Sequence, residues 1–389
     1  MTASTWADLA PQEVEWKQKC RRFAEEVISP ELRRCDEQMS FPAAVHEEAH
    51  RRGIMNVCFP EGLGGRGASH RAIAIAGEQM GSVCAPTAFT LGFNHGTLQP
   101  ILVAGTSEQR QVFVRDLLKR REYASLCMTE PESSGSDLLS LRTTARRRRS
   151  GWVVSGTKCM IGMGTEASVF LVFAQTPEVS GGLSVFAVPR GPGVRVGPNI
   201  DKLGFRCVPT PTITFEDVEV PQESLVGVAG EGDLLLLRCL DFMRFGGVPV
   251  ILGLVVGGLR DIVPWLEGRM IAGGDALVSK SNIQMTLGRF YGEVQAIRLL
   301  LWRTAELIDR GAPYGPEAAI AKCRASMLAV EACRTFVELM GWRGLDPGYP
   351  AQKRLRDAMA TSIFEGSNDI MHLHAFRDLR RQVHAGGDL

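Results

Sequence analysis

Two stretches of this 389-residue chain carry residue types whose order could do chemistry. The first is Ser362-Ile363-Phe364-Glu365-Gly366-Ser367-Asn368-Asp369-Ile370, a carboxylate among apolar neighbours just before a small, polar run that can open a helix. An acid flanked by Ile363, Phe364 and Ile370 loses part of its hydration, which raises its proton affinity and suits it to act as a base. The same glutamate also reads as a helix-terminal residue bonding backbone amides. The second stretch, Cys127-Met128-Thr129-Glu130-Pro131-Glu132-Ser133-Ser134-Gly135-Ser136-Asp137, gathers hydroxyls, carboxylates and a glycine behind a β-rich run.

The elements that must position these stretches follow from periodicity. Apolar spacing of a helix runs from Pro11 to Val27, with Ser29-Pro30 as its expected stop. Further helices are expected at Pro42–Arg52, His70–Met80, Thr97–Ala104 and Ser107–Lys119, the last with an N-cap at Thr106. After Glu122 the texture changes to short β-rich runs: Tyr123–Met128, Ser140–Ala145, Gly151–Ser155, Val169–Ala174, Ser184–Val188, Val194–Val196 and Pro211–Phe215. Long helical segments return over 233–245, 248–268, 280–310, 313–341, 349–363 and 367–382. The fold class expected is therefore α+β and multidomain. An N-terminal all-helical domain (1–122) precedes a middle β-barrel or sandwich (123–230), and a C-terminal four-helix-type bundle (231–389) carries Glu365.

Composition narrows the function classes. A hydrophobic content of 45%, a charged content of 22% and a net charge of +1 give no global field for nucleic acid or a membrane surface, so neither partner is expected. The ten cysteines form no C-x-x-C pair, which leaves reduced core thiols in a cytoplasm as the expectation. The longest apolar candidate, Val248 to Leu259, is interrupted by glycines and too short to span a bilayer.

Two motifs invite over-reading. His46-Glu47-Glu48-Ala49-His50 has H-E-x-x-H spacing, but no third ligand follows, and a solvated helix face is expected instead of a metal. Gly62-Leu63-Gly64-Gly65-Arg66-Gly67 has the G-x-G-x-x-G spacing without a strand before it, so it reads as a tight interhelical turn.

The order of domains, with Thr-Glu-Pro…Gly-Ser-Asp opening the second and Glu-Gly-Ser closing the third, resembles the acyl-CoA dehydrogenase family of flavoproteins. The resemblance covers essentially the whole chain. Pro60-Glu61 with Gly64-Gly65, Lys202-Leu203-Gly204, Phe215-Glu216-Asp217-Val218 with Val220-Pro221, and Arg356-Asp357-Ala358 fall in the family's order. It implies FAD as cofactor and an acyl thioester, on CoA or a carrier protein, as substrate. The glutamate that removes the α-proton while the β-hydride goes to flavin N5 matches Glu365. Its backbone N–H and a ribityl hydroxyl would stabilise the enolate oxygen. Flavin contacts would come from Leu126, Met128, Thr129 and Ser136, from Met160-Ile161-Gly162 on the other ring side, and from Ser367 and Asp369.

The sequence departs from that pattern at Met160, where an aromatic residue is usual, and at Gly162, where a hydroxyl is. A repacked pocket and an altered flavin reactivity both fit. At the adenine end Arg269 matches a pyrophosphate arginine, Ser281 replaces a glutamine, and Trp342 replaces a glycine within Glu338-Leu339-Met340-Gly341-Trp342-Arg343-Gly344. This end would reach a neighbouring subunit's cofactor in a homotetramer. Substrate contacts would fall to Gly92, Phe93, Ser136, Asp241, Arg244 and Gly366, although Asp241 and Arg244 at i, i+3 also read as a helix salt bridge. Arg146 to Arg149 would be a solvated hairpin or a patch for an acidic carrier. The resemblance further implies an electron acceptor such as an electron-transfer flavoprotein. A biosynthetic acyl-carrier-protein dehydrogenase and a flavin-poor scaffold remain as alternatives.

Overall fold

The computed structural model describes residues 9–133, 137 and 140–384. Helices α1 (Pro11–Phe23) and α2 (Ser29–Glu37) are joined by a π-helical turn, Ala24–Ile28. The helix therefore does not stop at Ser29-Pro30. A proline ring needs room where the hydrogen bond to the fourth residue back would lie, and the wider turn supplies it. After α3 (Ala43–Arg51), the Gly62–Gly67 stretch forms a turn with Gly64 and Gly67 at positive φ. A Cβ on Gly65 would stand 1.9 Å from the Phe59 carbonyl oxygen, so this is a close backbone crossing and not a phosphate loop. Helices α4 (Arg71–Leu91, kinked at Cys84), α5 (Phe93–Thr97), α6 (Gln99–Ala104), α7 (Ser107–Arg110) and α8 (Leu117–Lys119) complete this part.

His46 corrects the expectation of a solvated face. It is buried, it shares hydrogen bonds with Tyr123 Oη at 2.6 Å and Thr90 Oγ1 at 2.9 Å, and burial holds it neutral. The imidazole is a core strut between helix and strand.

Strands β1 (Tyr123–Cys127), β2 (Thr144–Arg148), β3 (Gly151–Lys158), β4 (Ala167–Gln175), β5 (Leu183–Pro189), β6 (Val194–Asn199), β7 (Pro211–Pro221) and β8 (Leu225–Val226) form one sheet. Its order is β6-β7-β3-β2-β4-β5-β8, with β1 parallel to β4. Strand β4 is buried on both faces. Val169, Leu171 and Phe173 join a core under the N-terminal helices, while Phe170, Val172 and Ala174 face the β3–β7 layer. The alternation is the two-residue period of a strand serving two cores at once. Arg146–Arg148 lie within β2 instead of in a hairpin tip, and Arg147 stacks over Trp152 at 5.8 Å.

The bundle opens with α9 (Gly232–Gly268), followed by α10 (Ser281–Asp309), α11 (Gly315–Met340), α12 (Trp342–Leu345), α13 (Ala351–Thr361) and α14 (Asn368–His384). Helix α9 runs unbroken through Pro249, where the sequence suggested two shorter segments. By length and composition it could cross a membrane, yet 78% of its apolar window is buried inside the molecule. It packs against α4 along a seam of small residues. A Cβ on Gly253 would stand 2.5 Å from the Gly81 carbonyl carbon, and one on Gly81 would stand 2.8 Å from the Val250 carbonyl oxygen.

Two short motifs, Lys202-Leu203-Gly204 and Arg356-Asp357-Ala358, meet at one junction between sheet and bundle. Asp357 accepts the Phe205 N–H at 2.7 Å and pairs with Lys353 at 2.6 Å, both side chains being buried. A Cβ on Gly204 would collide with the Arg356 carbonyl at 2.1 Å, while Arg356 reaches Leu203 O at 3.1 Å and Asp36 Oδ2 at 2.5 Å. Asp357→Ala strands a buried lysine, so unfolding should cost about 3–5 kcal/mol less. Glu37→Ala, which removes the exposed Arg33–Glu37 pair, should leave the urea midpoint close to that of the parent. Urea titration of both variants checks the contrast.

Candidate active site

Glu365 sits at φ 58°, in the left-handed region that a non-glycine residue enters only when its surroundings hold it there. Two buried cations do the holding, and both grip the main chain. Arg244, 1% exposed on α9, donates from Nε to the Glu365 carbonyl at 3.2 Å, and Lys322, fully buried on α11, donates to the Gly366 carbonyl at 2.6 Å. Arg244 is itself oriented by Asp241 at 2.8 Å, and Gly366 continues the turn at φ 99°. The carboxylate is left free, and its Oε2 is buried with no hydrogen-bond partner.

Burial pushes the Glu365 carboxyl well above the ordinary carboxylate range, and the charges of Lys322 and Arg244 offset only part of the rise. Gly247 makes room for it, since a Cβ there would lie 2.6 Å from Oε2. The carboxylate opens on a cavity of about 70 Å³ whose walls include Phe89, Gly92, Phe93, Met243 and Gly246. Of the expected substrate contacts, Gly92 and Phe93 line this cavity. Asp241 and Arg244 do not. They form the salt bridge that was the alternative reading, and they act through the backbone of Glu365.

On the sheet side, residues 125–130 and 158–162 lie side by side. Cys159 N–H donates to the Thr129 carbonyl at 2.8 Å, and the Ser125 hydroxyl donates to the Gly162 carbonyl at 2.8 Å. Lys158, fully buried, donates to Met128 O at 2.9 Å and Glu130 at 2.8 Å, while Glu130 accepts the Arg142 and Thr143 N–H groups. Lys158 and Lys322 escaped the sequence reading. Each is a lone lysine on a face otherwise built of buried residues, Ala318, Ala325 and Ala329 in the case of Lys322, and that pattern was the available signal.

The remaining expected residues divide. Ser367 caps α14, its hydroxyl accepting the Ile370 N–H at 3.5 Å, and Asp369 is exposed in the first turn of that helix. Ser136 lies outside the described residues. Arg269, Ser281, Glu338, Gly341, Trp342 and Gly344 gather at the other end of the bundle, because α10 and α11 run antiparallel with Arg289 paired to Glu331 and Arg324 to Glu293. Along α9, Arg269 is roughly 37 Å from Arg244. One subunit therefore does not bring the two groups together. The arginines of β2 pair with Val153 to Gly151 at the far end of β3, roughly 16 to 23 Å along the strand from Lys158.

A helical domain, a sheet domain and a bundle that presents a desolvated glutamate to an apolar cavity place this chain in the acyl-CoA dehydrogenase family, to which it belongs. Family models of the N-terminal, middle and C-terminal domains match residues 10–121, 125–218 and 230–379. Human short-chain specific acyl-CoA dehydrogenase, mitochondrial, is 35% identical over 371 residues, covering 93% of this chain and 90% of that one. The structure of butyryl-CoA dehydrogenase from Megasphaera elsdenii superposes with a TM-score of 0.91 at 27% identity, covering 96% and 99% of the two chains. A chain from a structure of the electron transferring flavoprotein of Acidaminococcus fermentans gives 0.91 at 30% identity, with 96% and 99% covered. The chain is an oxidoreductase acting on CH–CH groups, and the family's cofactor is FAD.

The sheet-side residues fit a flavin ring. Thr129 is half-buried with a hydroxyl that has no partner among the described residues, and Met160, at φ 56°, is 50% exposed. At Gly162 the missing hydroxyl has a steric counterpart, because a Cβ there would stand 2.8 Å from Cζ of Phe93. The phenyl ring occupies the space a side chain would need. Gly162→Ser should therefore destabilise the protein by about 1–3 kcal/mol, and the same serine should cost nearly nothing in a Phe93→Ala background. A double-mutant cycle by urea unfolding measures this coupling.

Proposed function

We propose that this chain oxidises a short acyl thioester to its α,β-unsaturated product, with Glu365 as the base that takes the α-proton. The observation that carries the reading is the buried, unpartnered Oε2 of Glu365 at the mouth of an apolar cavity, on a turn whose carbonyls are held by Arg244 and Lys322. A carboxylate with raised proton affinity accepts a carbon-bound proton more readily than an exposed one, and fixing its backbone removes the cost of aligning it. FAD, when bound, supplies the hydride acceptor. Leu126, Met128, Thr129, Met160, Ile161 and Gly162 would hold its ring.

A cavity of about 70 Å³ suits an acyl chain of a few carbons. It is about half the roughly 150 Å³ cavity that accommodates benzene. The short-chain specificity of the human relative supports the same size class. CoA is the favoured thioester carrier on the names of the relatives, and an electron-transfer flavoprotein is the favoured acceptor of electrons. A homotetramer would cover the exposed apolar side chains of the bundle, among them Trp342, Leu345, Met285 and Leu299. It would also bring the Arg269–Trp342 end against a neighbour's cofactor.

The pH dependence tests the base. Glu365 must be ionised to accept a proton, and its raised pKa means that the ionised fraction grows with pH well above the usual carboxylate range. kcat/KM for a butyryl thioester should therefore climb across the neutral range instead of levelling off near pH 5. Glu365→Gln should keep flavin and thioester binding, lower turnover by at least about a thousandfold and abolish that limb. A Gln variant that still reduces its flavin at a near-normal rate with substrate overturns the assignment.

A further inference from the structure

Helix α9 turns one face toward the cavity in front of Glu365. Met243, Gly246, Gly247 and Val250, at the i, i+3, i+4, i+7 spacing of a single helical face, all line it. Three glycines of the lining have a neighbour standing where a side chain would begin. A Cβ on Gly77 would lie 2.8 Å from Pro249 Cγ, one on Gly96 would lie 2.8 Å from Met243 Cγ, and one on Gly247 would lie 2.6 Å from Glu365 Oε2. Gly246 is different. A Cβ there would meet no heavy atom within 4 Å beyond its chain neighbours and its own helical backbone, and its φ is not positive. Nothing among the described residues requires this glycine.

A glycine inside a helix costs free energy relative to alanine, because it loses more backbone freedom on folding and packs no side chain. Gly288 and Gly292 on α10 have equally open surroundings, but they are exposed to solvent. Gly246 is half-buried on a cavity wall, where the missing side chain keeps space open. Its place says for what. Gly247, the next residue and about 3.8 Å away between Cα atoms, is the one that makes room for the carboxylate. The open space therefore lies beside the carbons nearest the base, the α-carbon that gives up a proton and the β-carbon that gives up hydride. Leu126, Met128, Thr129, Met160 and Ile161, which would hold the flavin ring, do not line this cavity, so the space belongs to the acyl group. Phe242, Met243 and Val250 on the same helix offer no hydrogen-bond donor, and the substituent that fits there is apolar.

We propose that Gly246 is a specificity-determining residue whose missing side chain makes room for a methyl branch at the α- or β-carbon, so that the substrate class includes short branched acyl thioesters. The proposal deepens the acyl-thioester reading of the cavity and rests on it. A singly branched carbon keeps one hydrogen, so the proton and the hydride of the dehydrogenation are both present. Gly246 meets the branch and not the atoms that leave.

The test compares butyryl-CoA with 2-methylbutyryl-CoA and 3-methylbutyryl-CoA, which add one methyl at the α- or the β-carbon. The flavin-loaded enzyme is assayed for the ratio of kcat/KM, branched over straight. In the parent at least one branched thioester should come within about tenfold of butyryl-CoA. In Gly246→Ala that ratio should fall by about tenfold or more, and further in Gly246→Val, the usual effect of one methyl too many in an apolar pocket. Which thioester suffers locates the branch. Dissociation constants of the same three thioesters on Glu365→Gln, with and without Gly246→Ala, should show the same fall without chemistry. The urea midpoint of Gly246→Ala should rise, since alanine favours the helix and its methyl enters unoccupied space. Rejection of both branched thioesters by a parent that takes butyryl-CoA, equal ratios in the parent and both variants, or a lowered midpoint in the alanine variant overturns the proposal and leaves the dehydrogenase reading standing. An enzyme that neither binds nor oxidises any of the three sinks that reading, and this proposal with it.

Discussion

The site depends on two cations being spent on carbonyls. Arg244 and Lys322 reach the Glu365 turn from different helices, and each could have neutralised the carboxylate directly. A salt bridge to either would have lowered its proton affinity. By donating to the Glu365 and Gly366 carbonyls they fix a left-handed turn, and their charge acts on the carboxylate only through space. The same device recurs across the cleft, where Lys158 donates to the Met128 carbonyl and so sets the end of β1. Buried lysines are costly, and each is retained where a main-chain position must not drift.

Those grips need stable elements behind them. Arg244 sits on α9, whose seam of glycines lets α4 approach at backbone distance, and α4 leads into the α5 segment carrying Phe93 and His95. Lys322 sits on α11, which packs against α9 and α14, so both ends of the Glu365 turn are tied to one helical block. The sheet is tied to that block through Asp357, which caps the Phe205 N–H from α13. Pocket walls from three parts of the chain thereby keep a common reference.

Much of this was legible in the sequence, and the failures have physical causes. The acid at Glu365 stood out by its apolar flank, but Ile363 is 72% exposed, and the cavity walls beside the carboxylate, Phe89, Gly246 and Gly247 among them, come from other elements. The Pro11–Val27 segment was stopped at Ser29-Pro30, because a π-helical turn absorbs a proline that propensity alone forbids, and 233–245 was split from 248–268 at Gly246-Gly247, which a buried helix tolerates. Strand β2 was placed too early, since Arg146–Arg148 look like a turn although their side chains only project from a strand edge. His46 was read as solvated because its neighbours are charged, and only the tertiary partners Tyr123 and Thr90 reveal it as buried. The i, i+3 spacing of Asp241 and Arg244 allowed the salt bridge that forms, but not the Glu365 carbonyl that a third element brings to Arg244.

The departures from the family pattern look different once volume is followed across elements. Gly162 lacks a side chain, and the Phe93 ring stands where one would begin. Gly96 lacks one too, and Met243 Cγ lies 2.8 Å from where its Cβ would be. In each pair a bulky side chain, Phe93 or Met243, stands where the glycine's side chain would begin. His95 lies on the same cavity wall as Phe93. Interior packing tolerates such exchanges when total volume is preserved. A glycine in place of a hydroxyl is therefore weak ground for inferring a dead site. The glutamate and the two cations that hold its turn are in place whatever stands at Gly162.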